Sequence, residues 1–415
     1  MQLTLFGIIW ILFLFICSLL SNNKGLLFMT LFSMVLQCDN ILYLGETAIG
    51  VQIFTVSFTV LRLMLNRSNK MRTPAIKLII TTLISLVFSI VVSLIVNDSF
   101  ELTNLIGLAM ILVYVIFAIM ITQKRITVDL EWLERVESFI IIFVLAVGVL
   151  QMLSKAGFTL FDNLLTTFIY NDTENTNVIF HHKPNIVFYS TFMESSFCGA
   201  FLVAMFTSIV LRNKTTTKNI VIAIAVMMAI ILTRSSTAFG GLAITICLLF
   251  FVKSKKKVFK WLIPAIIITA LYVFTFNIDL LNEVIFDKIG SEGSFATRSN
   301  WNKAALEAFL ESPVVGIGFK NIRASSIYVS LLGEIGVLGI IPYTTLILFC
   351  AVQFFRKKPF DHLKAQYFYV FSITVCQIIA CPDLNFSPFW LGIYLLLLTM
   401  RGEKNMLQNN GETAA

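Results

Sequence analysis

Leu78-Ile-Ile-Thr-Thr-Leu-Ile-Ser-Leu-Val-Phe-Ser-Ile-Val-Val-Ser-Leu-Ile-Val96 runs without a charge between Lys77 and Asn97. A bilayer's hydrocarbon core is about 30 Å thick and a helix rises about 1.5 Å per residue, so about 20 apolar residues cross it. Lipid offers the backbone no hydrogen-bond partners, so the stretch must be helical. Similar stretches recur at 3–20, 26–44, 48–65, 103–122, 138–155, 192–211, 219–233, 237–252, 261–277, 337–355, 365–381 and, shorter, 389–400. The expected fold is therefore all-α: a polytopic transmembrane helical bundle of about 12 spans (11–13), one integral membrane domain over 1–415. Gln37, Asp39 and Asn40 interrupt the second stretch. If it is a re-entrant or broken element, twelve spans place Met1 inside; if it crosses, thirteen place it outside.

Composition agrees. Hydrophobic types make up 58% and charged types 13%, against about 25% charged in soluble domains. The net charge of +8 does not point to nucleic acid, because the basic residues lie in short clusters between apolar segments with no basic patch interleaved with stacking aromatics. The clusters are Arg67, Lys70, Arg72 and Lys77; Lys124, Arg125 and Arg135; Arg212, Lys214 and Lys218; Lys253, Lys255, Lys256, Lys257 and Lys260; and Arg356, Lys357, Lys358 and Lys364. They fall at every second connection, which assigns that side to the cytoplasm. The seven cysteines form no CxxC pair; neither a disulfide framework nor a metal site is expected. The first stretch has no basic n-region or small-residue cleavage site and reads as an uncleaved span.

The other side carries two long loops, about 158–190 and about 278–325. The first holds His181 and His182, which titrate near neutral pH and can accept protons; the plainer alternative is two solvated histidines. The second holds an expected amphipathic helix near 299–311, with Trp301, Ala305 and Ala308 on one face. That face is expected to lie on the bilayer surface.

Charges sort by side. The middles of the spans are nearly free of them, while Asp39, Glu46, Glu194, Arg234, Arg298, Arg323, Glu334 and Asp383 map to outer ends or loops. Arg234, with Ser235 and Ser236, sits in a tight turn where outer loops usually avoid arginine. A guanidinium there can grip phosphate oxygens in bidentate fashion; a snorkelling helix-end arginine is the alternative. Glu194 stands where a helix dipole favours a carboxylate and can orient a sugar hydroxyl. Arg298, Lys320 and Arg323 surround Gly316 and Gly318, whose missing side chains let the backbone turn sharply or approach a ligand.

Four stretches together resemble the bacterial O-antigen polymerase and O-antigen ligase family. They are Phe192-Met-Glu194-Ser-Ser196, Leu232-Thr-Arg234-Ser-Ser-Thr-Ala238, Arg298-x-x-Trp301 followed by Pro313-x-x-Gly316-x-Gly318, and Leu332-Gly-Glu334-Ile-Gly336-Val-Leu-Gly339. The resemblance covers roughly 190–345. It implies a metal-independent, cofactor-free glycosyltransferase in the bacterial inner membrane, acting on its outer (periplasmic) face. Donor and acceptor would be glycans on undecaprenyl diphosphate, in contact with membrane lipids and working beside a chain-length regulator and a flippase. Arg234, Arg298 and Arg323 would receive diphosphate or sugar, with Glu194 and Glu334 in orienting or base roles. Ser235, Ser236, Trp301, Gly316, Gly318, Lys320, His181 and His182 would line the substrate. Many relatives carry a His-Asn pair before the L-x-E motif; here 323–328 reads Arg-Ala-Ser-Ser-Ile-Tyr. Ligases are thought to depend on that His, which favours a polymerase and leaves the general base unassigned. The rivals are a polytopic transporter or lipid-carrier flippase, which would bind near the midplane, and a ligase.

Overall fold

The computed structural model describes residues 2–20, 23–44, 47–65, 73–124, 126, 128–171, 187–212, 216–250, 294–356 and 361–409. The expected span at 261–277, His181, His182 and Glu46 lie outside them. Helix dominates. Among the described residues, five helices are long and apolar enough to cross a membrane: Pro74–Val96, Leu102–Gln123, Leu130–Lys155, Ile327–Phe355 and His362–Ala380. Shorter apolar helices include Leu5–Leu19, Lys24–Ser33, Val51–Met64, Ser195–Leu211, Thr217–Leu232 and Ser236–Leu249.

The chain divides into two compact units. Unit 1 comprises Met1–Arg72, Ile116–Cys198 and Ser387–Ala415. It opens with β1 (Gln2–Leu3), α1 (Leu5–Leu19), α2 (Lys24–Ser33), β2 (Asn40–Leu44), β3 (Thr47–Gly50) and α3 (Val51–Met64). The 26–44 stretch is thus the broken element. Its helix stops at Ser33, and the chain turns into a small antiparallel sheet of order β1-β2-β3, within a fold that is otherwise all-α as expected. The polar Gln37, Asp39 and Asn40 make a continuous span costly, and their backbone finds partners elsewhere. The Gln37 amide donates to the Thr191 carbonyl at 3.1 Å. The Asn40 amide donates to Asn171 Oδ1 at 2.7 Å, and Asn171 Nδ2 returns a bond to the Asn40 carbonyl at 2.9 Å.

In chain order the next elements are α4 (Pro74–Val96), α5 (Leu102–Gln123), α6 (Leu130–Lys155), α7 (Thr159–Phe168) and α8 (Ser195–Leu211). The unit boundaries fall within α5 and at the start of α8. Asp129 caps α6, accepting the Trp132 amide at 2.6 Å and pairing with Lys24 at 2.8 Å. The Lys24 hydrogen bond holds the Asp129 carboxyl below its usual range. Phe28 and Phe32 of α2 meet Phe139 and Phe143 of α6 edge to face.

Unit 2 comprises Thr73–Val115 and Gly199–Phe386. After α8 it contains α9 (Thr217–Leu232), α10 (Ser236–Phe250), α11 (Ser294–Glu311), α12 (Ile327–Phe355) and α13 (Asp361–Ala380); α14 (Ser387–Asn409) returns to unit 1. The centre of unit 2 is α12, packed on α4, α11 and α13. The face of α11 that carries Ala305 and Ala308 is buried and turned onto α12 rather than the bilayer surface. Small side chains permit this close approach: a Cβ at Gly333 of α12 would lie 2.8 Å from the Ala305 carbonyl oxygen.

Candidate functional site

Helix α12 is broken one third of the way along. Gly336 has φ 60° and ψ −160°, a conformation that costs glycine little and L-residues much. The break strips two amides and two carbonyls of their partners within the helix, and in a buried helix each such loss is expensive. The loop Pro313–Gly318 replaces all four. The amides of Val337 and Leu338 donate to the carbonyls of Pro313 and Val314 at 2.9 and 3.1 Å. The carbonyls of Gly333 and Glu334 accept from the amides of Ile317 and Gly318 at 2.9 and 3.1 Å. The two backbones approach so closely that a Cβ on Gly316 would fall on the Glu334 carbonyl carbon, and one on Gly336 on the Val314 carbonyl carbon. The glycines of P-x-x-G-x-G and of L-x-E-x-G are therefore two halves of one interlock.

Helix α4 completes it. Ser93 Oγ donates a second bond to the Glu334 carbonyl at 2.8 Å, and Asn97 Nδ2 donates to the Gly316 carbonyl at 3.1 Å. One turn further along α12, Pro342 has no N–H to offer the Leu338 carbonyl; Ser89 Oγ takes that place at 2.7 Å. Ser89, Ser93 and Asn97 recur every four residues, so they lie along one helix face.

Three connections of unit 2 meet at this end. Asn321 Nδ2 donates to Ser99 Oγ at 2.7 Å and to the Ile317 carbonyl at 2.8 Å, and its Oδ1 accepts from Asn104 at 2.8 Å. Asn385 Oδ1 accepts from Lys320 Nζ at 2.8 Å, with its amide nitrogen 3.3 Å from the Gly107 carbonyl. The loops 97–101, 312–326 and 381–386 are the ones that the basic-residue pattern assigns to the outside.

The expected site residues distribute over this frame as follows. Arg323 and Trp301 are together, the Arg323 Cζ lying 4.1 Å from the Trp301 ring centroid. Arg298 is half-buried one helical turn before Trp301 on α11. Asn302 of α11 accepts the Ser325 amide at 2.8 Å, anchoring the segment that carries Arg323. Glu334 is 8% exposed; it accepts from Ser330 Oγ at 2.7 Å and from the backbone amide of Lys320. Its partners are thus a hydroxyl and an amide. Lys320 adopts φ 65°, which turns its amide to Glu334 while its side chain runs to Asn385.

Arg234 lies in the turn between α9 and α10 at φ 47°, where few non-glycine residues go. Ser235 caps α10, its Oγ accepting the Ala238 amide at 3.4 Å, and Ser236 begins the helix. Thr237 is buried, and its hydroxyl has no partner among the described residues. Glu194 belongs to unit 1, exposed at the start of α8, where Ser196 Oγ donates to it at 3.1 Å. Among the described residues no cluster of three or more His, Cys, Asp or Glu side chains forms a metal site. The Ser89-Ser93-Asn97 row, Asn104 and Asn321 were missed from the sequence. The signal for the row was a polar residue at every fourth position of an otherwise apolar span; Asn104 and Asn321 carried no such pattern.

Residues 219–344 match the family model described as O-antigen ligase. The matched stretch contains the α9–α10 turn, α11, the Pro313–Gly318 loop and the break in α12. No curated protein matches the chain.

Proposed function

We propose that the chain is a surface-polysaccharide (O-antigen) polymerase. It joins undecaprenyl-diphosphate-linked repeat units by glycosyl transfer on the outer face of the bacterial inner membrane. The leaving group is a diphosphate, and fixed guanidinium groups stabilise the charge that develops on it without a metal. The observation that carries the reading is Arg323 stacked on Trp301, within the family-matched stretch and on a loop interlocked with a buried, broken helix. An arginine held in this way is preorganised for phosphate oxygens. Arg298 and Arg234 are assigned the same task, and Glu334 a positioning one, since it is committed to Ser330 and the Lys320 amide.

Polymerase is preferred to ligase because 323–328 carries no histidine. Deleting the gene tests the choice. A polymerase leaves single repeats attached to the lipid A core and abolishes long chains. Loss of all repeats from the core would instead mean a ligase or a flippase.

A further inference from the structure

Asp383 is a charged residue at this end of unit 2 that has no role so far. It lies in the connection between α13 and α14, half-buried. Its Oδ1 accepts the Asn385 amide at 2.9 Å. Its backbone carbonyl accepts from Gln377 Nε2 at 3.0 Å, and Gln377 Oε1 in turn accepts from the Tyr343 hydroxyl at 3.2 Å. The connection beneath the carboxylate is thus tied to α12 and α13, while Oδ2 takes no hydrogen bond from the described residues.

The titratable groups facing it are Glu334 from α12 and Tyr114 from α5, both close enough to feel its charge. Lys320 faces the same connection, its ammonium bonded two residues on at Asn385. Of the carboxylates here, Glu334 is occupied by Ser330 and the Lys320 amide, and Asp98, Glu101, Glu307 and Glu311 are exposed. Asp383 alone among them combines partial burial, a fixed backbone and an oxygen free to take a proton.

Resting on the polymerase reading, we propose that Asp383 is the general base that deprotonates the acceptor sugar's hydroxyl. The hydroxyl oxygen forms a bond to the donor's anomeric carbon. The bond from that carbon to the diphosphate oxygen breaks, and its electron pair leaves with the diphosphate. The hydroxyl proton passes to Asp383 Oδ2. This supplies the base that the absent histidine leaves open.

The test uses the full chain in nanodiscs with synthetic undecaprenyl-diphosphate-linked repeats, read as product ladders. Asp383→Asn keeps the oxygen that accepts from Asn385 and removes the base. It should lower kcat by about 100-fold or more, with donor KM and thermal unfolding unchanged. Asp383→Glu should retain part of the activity with a displaced acid limb in its kcat–pH profile, a shift that a structural role would not produce. Wild-type turnover in Asp383→Asn, or an unshifted profile in Asp383→Glu, would overturn the assignment while a wild-type ladder left the polymerase reading standing. Wild-type protein that joins no repeats would overturn both.

Discussion

The guanidinium carbon of Arg323 lies 4.1 Å from the centre of the Trp301 ring, joining the last loop before α12 to the helix that precedes it. The stack holds an always-charged planar fork in one orientation. Arg298 lies one helical turn before Trp301 on the same helix.

Replacing Arg323 by Lys keeps the charge and loses both the fork and the stack. It should cost about 10- to 100-fold in kcat/KM, or roughly 1.4–2.7 kcal/mol, measured on synthetic lipid-linked repeats. Arg234→Lys should fall in the same direction, and full activity in that variant would remove Arg234 from the site. Trp301→Leu should cost about three- to fivefold, the scale of one exposed cation–π contact. It should have no further effect in an Arg323→Ala background.

Gly316→Ala and Gly336→Ala each place a Cβ on backbone across the interlock, at φ 68° and 60°. Each should destabilise by about 3 kcal/mol or more, combining left-handed strain with a clash that cannot relax through a side chain. Gly157 is the control: it has φ 106° with nothing within 4 Å, so its Ala variant bears the backbone strain alone. Thermal unfolding in detergent reads all three.

How far this frame was legible from sequence differs from part to part. The apolar runs announced helices such as α4 and α5, because in lipid length and hydrophobicity nearly determine the outcome. Gln37, Asp39 and Asn40 marked the broken element, but nothing local predicted that its continuation would pair as a sheet. That depends on contacts between residues far apart, such as Gln2 with Tyr43. At the site, P-x-x-G-x-G and L-x-E-x-G read as separate motifs; only the fold shows them exchanging hydrogen bonds. The amphipathic pattern of α11 was correct in its face and wrong in its neighbour, because Trp301, Ala305 and Ala308 do not say whether lipid or protein covers them.

Ser89→Ala should destabilise by about 1 kcal/mol, since it leaves the Leu338 carbonyl without a donor. Pro342→Ala restores an N–H to that carbonyl, so the serine's contribution should shrink in that background. A double-mutant cycle on thermal unfolding measures the coupling; strict additivity would mean that the proline and the serine are unrelated.

Asp39 is fully buried, and neither carboxylate oxygen is hydrogen-bonded to a described residue. Burial pushes its carboxyl well above the usual range, so the folded state favours the neutral acid. A group raised in this way contributes stability in full below its unfolded pKa of about 3.9 and loses it as pH rises through the folded value. Asp39→Asn removes the titration. Its unfolding temperature should gain on wild type as pH rises, and parallel pH profiles would show that Asp39 is already ionised when folded.

Reconstitution of the purified chain with a single kind of undecaprenyl-diphosphate-linked repeat is the most direct test of the central claim. The polymerase reading predicts a ladder of products, each one repeat longer than the last, with one undecaprenyl diphosphate released per bond formed. Transfer of glycan to added lipid A core with no ladder, or movement of the lipid-linked repeat across the bilayer with no bond formed, would contradict it.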